Sequence, residues 1–203
     1  LGLEFAEALL STGERLAAVE VLERACATPN APADLLGRLA EVLTEGLTFI
    51  GNLVRLPAAP DAARQRLTAR AETLLEQAGA RDPQTAAWPL LAARLRLVTG
   101  DHEHARALLA KLDIARLEPA ERSTALTLSA AALARAGEFA SAADDARRVL
   151  DGPDSAAMHA ILAEAALAAG ATEEAHEHAL AARAAGMDSP SLLATLGQAA
   201  LTL

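Results

Sequence analysis

Apolar residues recur along this chain in steps of three and four. Ala18, Val21, Leu22 and Ala25 form one such set, and Ala105, Leu108, Leu109 and Leu112 another. Phe139, Ala142, Ala143, Ala146, Val149 and Leu150 repeat the spacing, as do Ala175, Ala179 and Ala182. Between them lie Leu91, Leu95 and Val98, then Leu126, Ala130 and Leu133, then Met158, Ile161, Leu162, Ala165 and Ala169. At 3.6 residues per turn each set falls on one helical face, so each predicts an amphipathic helix with one buried stripe.

The breaks between these stripes are also regular. Asp82-Pro83, Glu118-Pro119, Gly152-Pro153 and Ser189-Pro190 follow one another at intervals of 36, 34 and 37 residues. Proline suits the first turn of a helix, where its missing N–H would have no partner anyway, so each step predicts a helix start. About midway between them stand Gly100-Asp101, Gly137-Glu138 and Gly170-Ala171, with Gly13-Glu14 near the beginning. Glycine accepts the left-handed conformation that ends a helix, so these predict tight turns. The expected unit is helix, glycine turn, helix, proline step. The expected boundaries are about 1–31, an elongated 32–82, 83–118, 119–152, 153–188 and a terminal helix over 189–203, all within one repeat domain.

The elongated unit breaks the rhythm. Leu36, Ala40, Leu43, Leu47, Ile50 and Val54 continue in steps of four and three across Gly46 and Gly51. They predict one long helix over about 33–56, kinked at a glycine, with two shorter helices as the rival reading. A Pro57–Pro60 loop and a second helix over about 61–78 complete it.

Composition fixes the class. The chain is 52% hydrophobic with 2% aromatic residues, and Ala and Leu, the strongest helix formers, dominate. An all-α fold follows. Small Ala side chains also let helices approach closely. The net charge of -9 argues against nucleic acid, which selects a basic footprint. Lys111 is the only lysine, and this Arg-over-Lys bias fits a GC-rich bacterial genome. A lone Cys26 cannot form an internal disulfide, so nothing points to an oxidising compartment, and a cytoplasmic setting is expected. The apolar stretch from Ala156 to Ala171 is broken by His159 and Glu164 and is too short to span a membrane. Both ends fall inside helical patterns, so the chain is expected to be a fragment of a larger protein.

The ordered sets Ala93, Gly100, Asp101, Ala105, Leu109, Pro119 and Ala130, Gly137, Glu138, Ala142, Pro153 resemble the tetratricopeptide repeat. So does Ala163, Gly170, Ala175, Ala179, Ala182, Pro190, with Ala6, Gly13, Glu14, Ala18, Leu22, Ala25, Pro29 as a truncated first unit. The usual Trp is displaced to Trp88 and the usual Tyr is missing. The resemblance implies a right-handed α-α superhelix, or solenoid, whose concave wall binds a peptide or partner helix. By that resemblance the wall holds Leu90, Arg94, Leu97 and Val98, then Thr127, Ala131 and Arg135, then Ala160, Glu164 and Leu167. Such repeats are similar to those of large bacterial transcriptional regulators, which makes a sensor or protein-interaction module the expected function. A self-associating scaffold and a repeat region attached to an enzyme are the alternatives. The Lys and Asn carboxylate clamp of chaperone-binding members is not expected, because no Asn follows Asn52.

No catalytic, cofactor or metal site is expected. His102 with His104 and His176 with His178 are spaced by two, which puts the rings on opposite sides of a helix, so all four read as exposed helix-start residues. A pH-sensing role remains open to them, since imidazole titrates near neutrality. Asp144, Asp145, Arg147 and Arg148 read as local helix ion pairs. The terminal helix would expose Leu192, Leu193, Leu196 and Ala199 unless it packs as a cap.

Overall fold

Five glycines adopt positive φ: Gly13, Gly100, Gly137, Gly170 and Gly186. The first four are those expected from the sequence; Gly186 was not anticipated. After four of them the chain closes a second hydrogen bond back into the helix just ended. Glu14 N–H donates to the Leu9 carbonyl at 2.8 Å, Glu138 N–H to Leu133 at 2.9 Å, Ala171 N–H to Ala166 at 2.9 Å and Met187 N–H to Ala182 at 3.0 Å. These bonds satisfy carbonyls that the helix end would otherwise leave unpaired.

The computed structural model describes residues 2–53 and 60–202, and among these the secondary structure is entirely helical. The chain divides into two compact units, 1–100 and 101–203. The division falls at the Gly100 turn, inside the expected 83–118 repeat.

Unit 1 holds α1 (Gly2–Ser11), α2 (Arg15–Cys26), α3 (Ala33–Leu53), α4 (Pro60–Arg81) and α5 (Ala87–Thr99). Each helix packs on the next, and α3 also meets α5. Helix α3 runs unbroken over its 21 residues, so the long-helix reading holds over 33–53 and the two-helix rival does not. Val54 and residues 57–59 of the expected loop lie outside the described residues, as do the side chains of Leu47 and Ile50. Helix α4 continues through Gly79 to Arg81, past the expected end at 78.

The core of unit 1 is built on Leu22, Leu36, Leu39, Leu74, Leu95 and Trp88. The six-membered edge of Trp88 packs against α3 at Gly37, where an added Cβ would come within 2.0 Å of the indole ring. Its ring N–H donates to the Asp82 carbonyl at 3.1 Å, folding the 82–86 connection beneath it. Polar ties cross between helices at the surface. Arg38 donates to both carboxylate oxygens of Glu7 on α1 at 2.6 and 3.0 Å and, within α3, to Glu41 at 2.6 Å. Arg64 donates to the Val98 carbonyl at 2.7 Å.

Unit 2 holds α6 (His102–Leu109), a 3-10 turn (Ile114–Arg116), α7 (Pro119–Arg135), α8 (Phe139–Arg148), α9 (Ser155–Ala168), α10 (Thr172–Ala184) and α11 (Pro190–Thr202). Each helix packs on the next, and α7 meets α9 as α9 meets α11. Helix α9 is apolar nearly all round, burying Met158, Ile161, Leu162, Ala163, Ala165 and Ala166, as suits a central helix. The terminal helix α11 packs against α10 and α9, with Leu192 and Ala199 buried, Leu196 half-buried and Leu193 exposed.

Two of the four proline steps open a helix. Pro119 starts α7, where Glu118 N–H donates to the Glu121 carboxylate at 3.3 Å. Pro190 starts α11, where Leu192 N–H donates to Ser189 Oγ at 3.3 Å. Pro153 instead lies in a turn two residues ahead of α9, and Pro83 lies four residues ahead of α5. The fixed φ of proline suits a turn as well as a helix start. In α5 the first-turn proline is Pro89, whose missing N–H is likewise of no consequence there.

Candidate functional site

The residues expected on the concave wall fall on three helices in two units. Leu90, Arg94, Leu97 and Val98 lie on α5 of unit 1. Thr127, Ala131 and Arg135 lie on α7, and Ala160, Glu164 and Leu167 on α9, both in unit 2. The spacing of four in α7 puts its three residues on one face, as the steps of four and three do in α9.

Leu90 departs from the expectation. It is 5% exposed and belongs to the packing, not to an open surface. It sits in the first turn of α5. Val98 is half-buried and rests on the unit 1 core, while its carbonyl takes the Arg64 guanidinium. Arg94 is exposed and Leu97 half-buried.

In unit 2 Arg135 is exposed, and Thr127 and Glu164 are half-buried. Ala131 rests on the cluster of Leu126, Ala130, Met158 and Leu162. Ala160 rests on Ala163, Ala179, Ala182 and Leu192, and Leu167 on Ala166, Ala175 and Ala199. These three therefore serve packing and offer only their outer edges. What remains open on α7 and α9 are outer edges of mostly small residues, with one cation, Arg135, and one anion, Glu164. Such a surface can hold an apolar side chain by contact and orient an acidic group by a charge-assisted hydrogen bond.

The histidines differ from the expected pattern. His104 is exposed and pairs with Asp101, Nδ1 to Oδ1 at 2.8 Å, while Asp101 also accepts the His104 N–H and caps α6. His102 is half-buried and its Nδ1 has no hydrogen-bond partner. His178 is not exposed at a helix start; it lies at the middle of α10 against His159 of α9, Nδ1 to Nδ1 at 3.0 Å. Burial pushes His178 below the ordinary imidazole value, and His159 adds to that, while Glu174 opposes it. The signal for this pairing in the sequence was His159 itself, a ring with polar nitrogens inside a helix that is apolar apart from it, Ser155 and Glu164. Among the described residues no three His, Cys, Asp or Glu side chains are grouped so as to hold a metal ion.

Cys26, at the end of α2, is half-buried. Burial raises its thiol above the ordinary value, against the lowering effect of Arg70 and Arg81. A thiol held protonated is a poor nucleophile. The four-residue charge cluster on α8 forms local pairs, Arg147 with Asp144 at 3.3 Å and Arg148 with Asp145 at 3.4 Å. Asp145 also accepts the Ser129 hydroxyl at 2.7 Å, which ties α8 to α7. No helix among the described residues is long and apolar enough to cross a membrane.

No protein-family model matches the chain, and no curated protein matches it.

Proposed function

We propose that this chain is a tetratricopeptide-like module, a right-handed superhelix of helix pairs, that holds a protein or peptide and catalyses nothing. One arrangement supports this above all. In unit 2, α7 and α9 touch each other as well as sharing α8, and each keeps an outer edge that is not buried. Helix pairs of this kind cannot bury their apolar faces alone, so they share a core with their neighbours and leave one row of helices partly open.

The occupant that fits the surface is a short helix or loop with small apolar side chains and an acidic group near Arg135. Thr127, Ala131, Ala160 and Glu164 would line its path. Arg94 on α5 is a separate exposed cation of unit 1. In a larger bacterial protein such a module would act as a sensor or docking region, as in transcriptional regulators, and a cytoplasmic setting fits the single protonated thiol.

The test is selection of peptides by the full chain from a displayed library, followed by amide NMR mapping of the strongest binder. Perturbations should centre on Thr127, Ala131, Arg135, Ala160 and Glu164. Arg135→Glu should weaken an acidic binder by roughly tenfold or more. Perturbations confined to α8 and α10, or equal affinity for the variant, would remove the reading.

A further inference from the structure

Away from these docking faces, the most unusual chemistry in unit 2 is the contact between His159 and His178. Their Nδ1 atoms lie 3.0 Å apart, the ring centroids 5.2 Å apart, and the ring planes are tilted by 39°. The centroid separation exceeds the nitrogen separation by about two ring radii, so the rings meet end to end. A metal held at roughly 2.0–2.1 Å from both nitrogens would need its two bonds near a right angle, with the rings folded toward each other. The end-to-end geometry is instead that of an N–H···N hydrogen bond. A neutral imidazole has one N–H and one bare nitrogen, so one ring must donate from Nδ1 and the other must accept there. One proton fits between the two nitrogens; two do not.

The surroundings choose which ring donates. Glu174 lies one turn before His178, with its Oε1 3.8 Å from His178 Nε2 and 3.8 Å from the Arg147 guanidinium. Its negative charge favours a proton on His178 Nε2, which leaves His178 Nδ1 as the acceptor and His159 as the donor. The other charges acting on His178 are Arg147 of α8, itself paired with Asp144, and Glu177 of α10. Helix α11, packed on both α9 and α10, carries no charged residue. Helix α7 carries Glu121 and Arg122, which bond to the Glu118 N–H and to the carbonyls of Ile114, Ala115 and Leu117, and Arg135, exposed at its end.

We propose that His159 and His178 form a proton-operated latch between α9 and α10. Near neutrality the rings share one proton and the bridge draws the helices together. Full protonation takes two protons from solvent, one on the bare Nδ1 of His178 and one on Nε2 of His159; no acceptor then remains between the rings, and two cations stand head to head. Glu174 then turns from Arg147 toward the His178 imidazolium. The lowered titration of His178 agrees in sign: the unfolded chain binds more protons than the folded one as pH falls below the ordinary imidazole value. The latch therefore contributes fully above that value and is lost below it. Since α9 is the central helix of unit 2, weakening its contact with α10 loosens the element that also carries Ala160 and Glu164.

The experiment is imidazole 15N NMR of the full chain from about pH 8 to about pH 5, beside thermal unfolding over the same range. His159 and His178 should titrate as a coupled pair with a step below the ordinary value. In His159→Gln, His178 should move back toward that ordinary value, since one of the two causes that lower it is removed while burial remains. The acid-induced drop in the unfolding midpoint should shrink by about half or more in the same variant. Two rings that titrate independently at ordinary values would overturn the proposal. Should the variant fail to fold, the native spectrum still decides. One Nδ1–H ring facing one Nε2–H ring supports the latch, and two Nε2–H rings defeat it.

Discussion

Unit 1 and unit 2 build their interiors from different side chains. In unit 1 the buried volume comes from large residues, Leu22, Leu36, Leu39, Leu74, Leu95 and Trp88, on helices that reach 22 residues. In unit 2 the helices are 8 to 17 residues long and meet largely on alanines such as Ala130, Ala142, Ala163, Ala175 and Ala179, all 0% exposed. Large side chains fill space that the backbones leave open; small ones let the backbones themselves close the gap. The two interiors should therefore fail in opposite ways. Unit 1 is sensitive to loss of volume and unit 2 to its gain.

The largest effect is expected from Trp88→Ala. It removes the one indole of the chain from its seat on Gly37 and the hydrogen bond to Asp82. It should cost about 3–5 kcal/mol in urea unfolding followed by circular dichroism. A loss below about 1 kcal/mol would mean that unit 1 does not depend on filled volume as argued.

The converse change in unit 2 is Ala163→Leu. Ala163 is fully buried against Ala179, Ala182 and Leu192. The added carbons should force α9 from α10 and α11 at a cost of about 1–3 kcal/mol in thermal unfolding. Trp88 fluorescence reports unit 1 separately, so the same melt shows whether the damage stays in unit 2. A neutral outcome would break the contrast between the interiors.

The smallest and sharpest test compares two glycines of α3. Gly37→Ala drives a Cβ into the Trp88 ring, whereas Gly46→Ala meets nothing within 4 Å. The first should destabilise by about 1–2 kcal/mol, and the second should stabilise by about 0.5–1 kcal/mol through helix propensity alone. Combined with Trp88→Ala, Gly37→Ala should lose its penalty, a non-additivity that a double-mutant cycle measures. Equal effects at the two glycines would show that the indole seat is not what Gly37 serves.

Much of the secondary structure was legible because its causes are local. Gly13, Gly100, Gly137 and Gly170 mark turns since only glycine enters positive φ without penalty, and that preference needs no distant partner. Gly186 obeys the same rule but broke the expected interval, so a reading keyed to repeat length passed over it. The prolines were half legible. Pro119 and Pro190 open helices, while Pro83 and Pro153 lie in turns, because a fixed φ fits both environments. The site was less legible still. Arg94 and Arg135 are exposed as expected, but the repeat resemblance that placed Leu90 on the wall beside Arg94 could not say that Leu90 is buried.

By itself the sequence determined the helical class, the chief turns and the stripe that each helix buries, since these follow from dihedral preferences and from patterns a few residues long. Only the tertiary structure decided that Trp88 rests on Gly37, that the compact units divide at Gly100, and that His178 faces His159 instead of its neighbour His176. Each of these depends on which helix lies opposite which, and that choice is made by burial and hydrogen bonding across residues far apart in the chain.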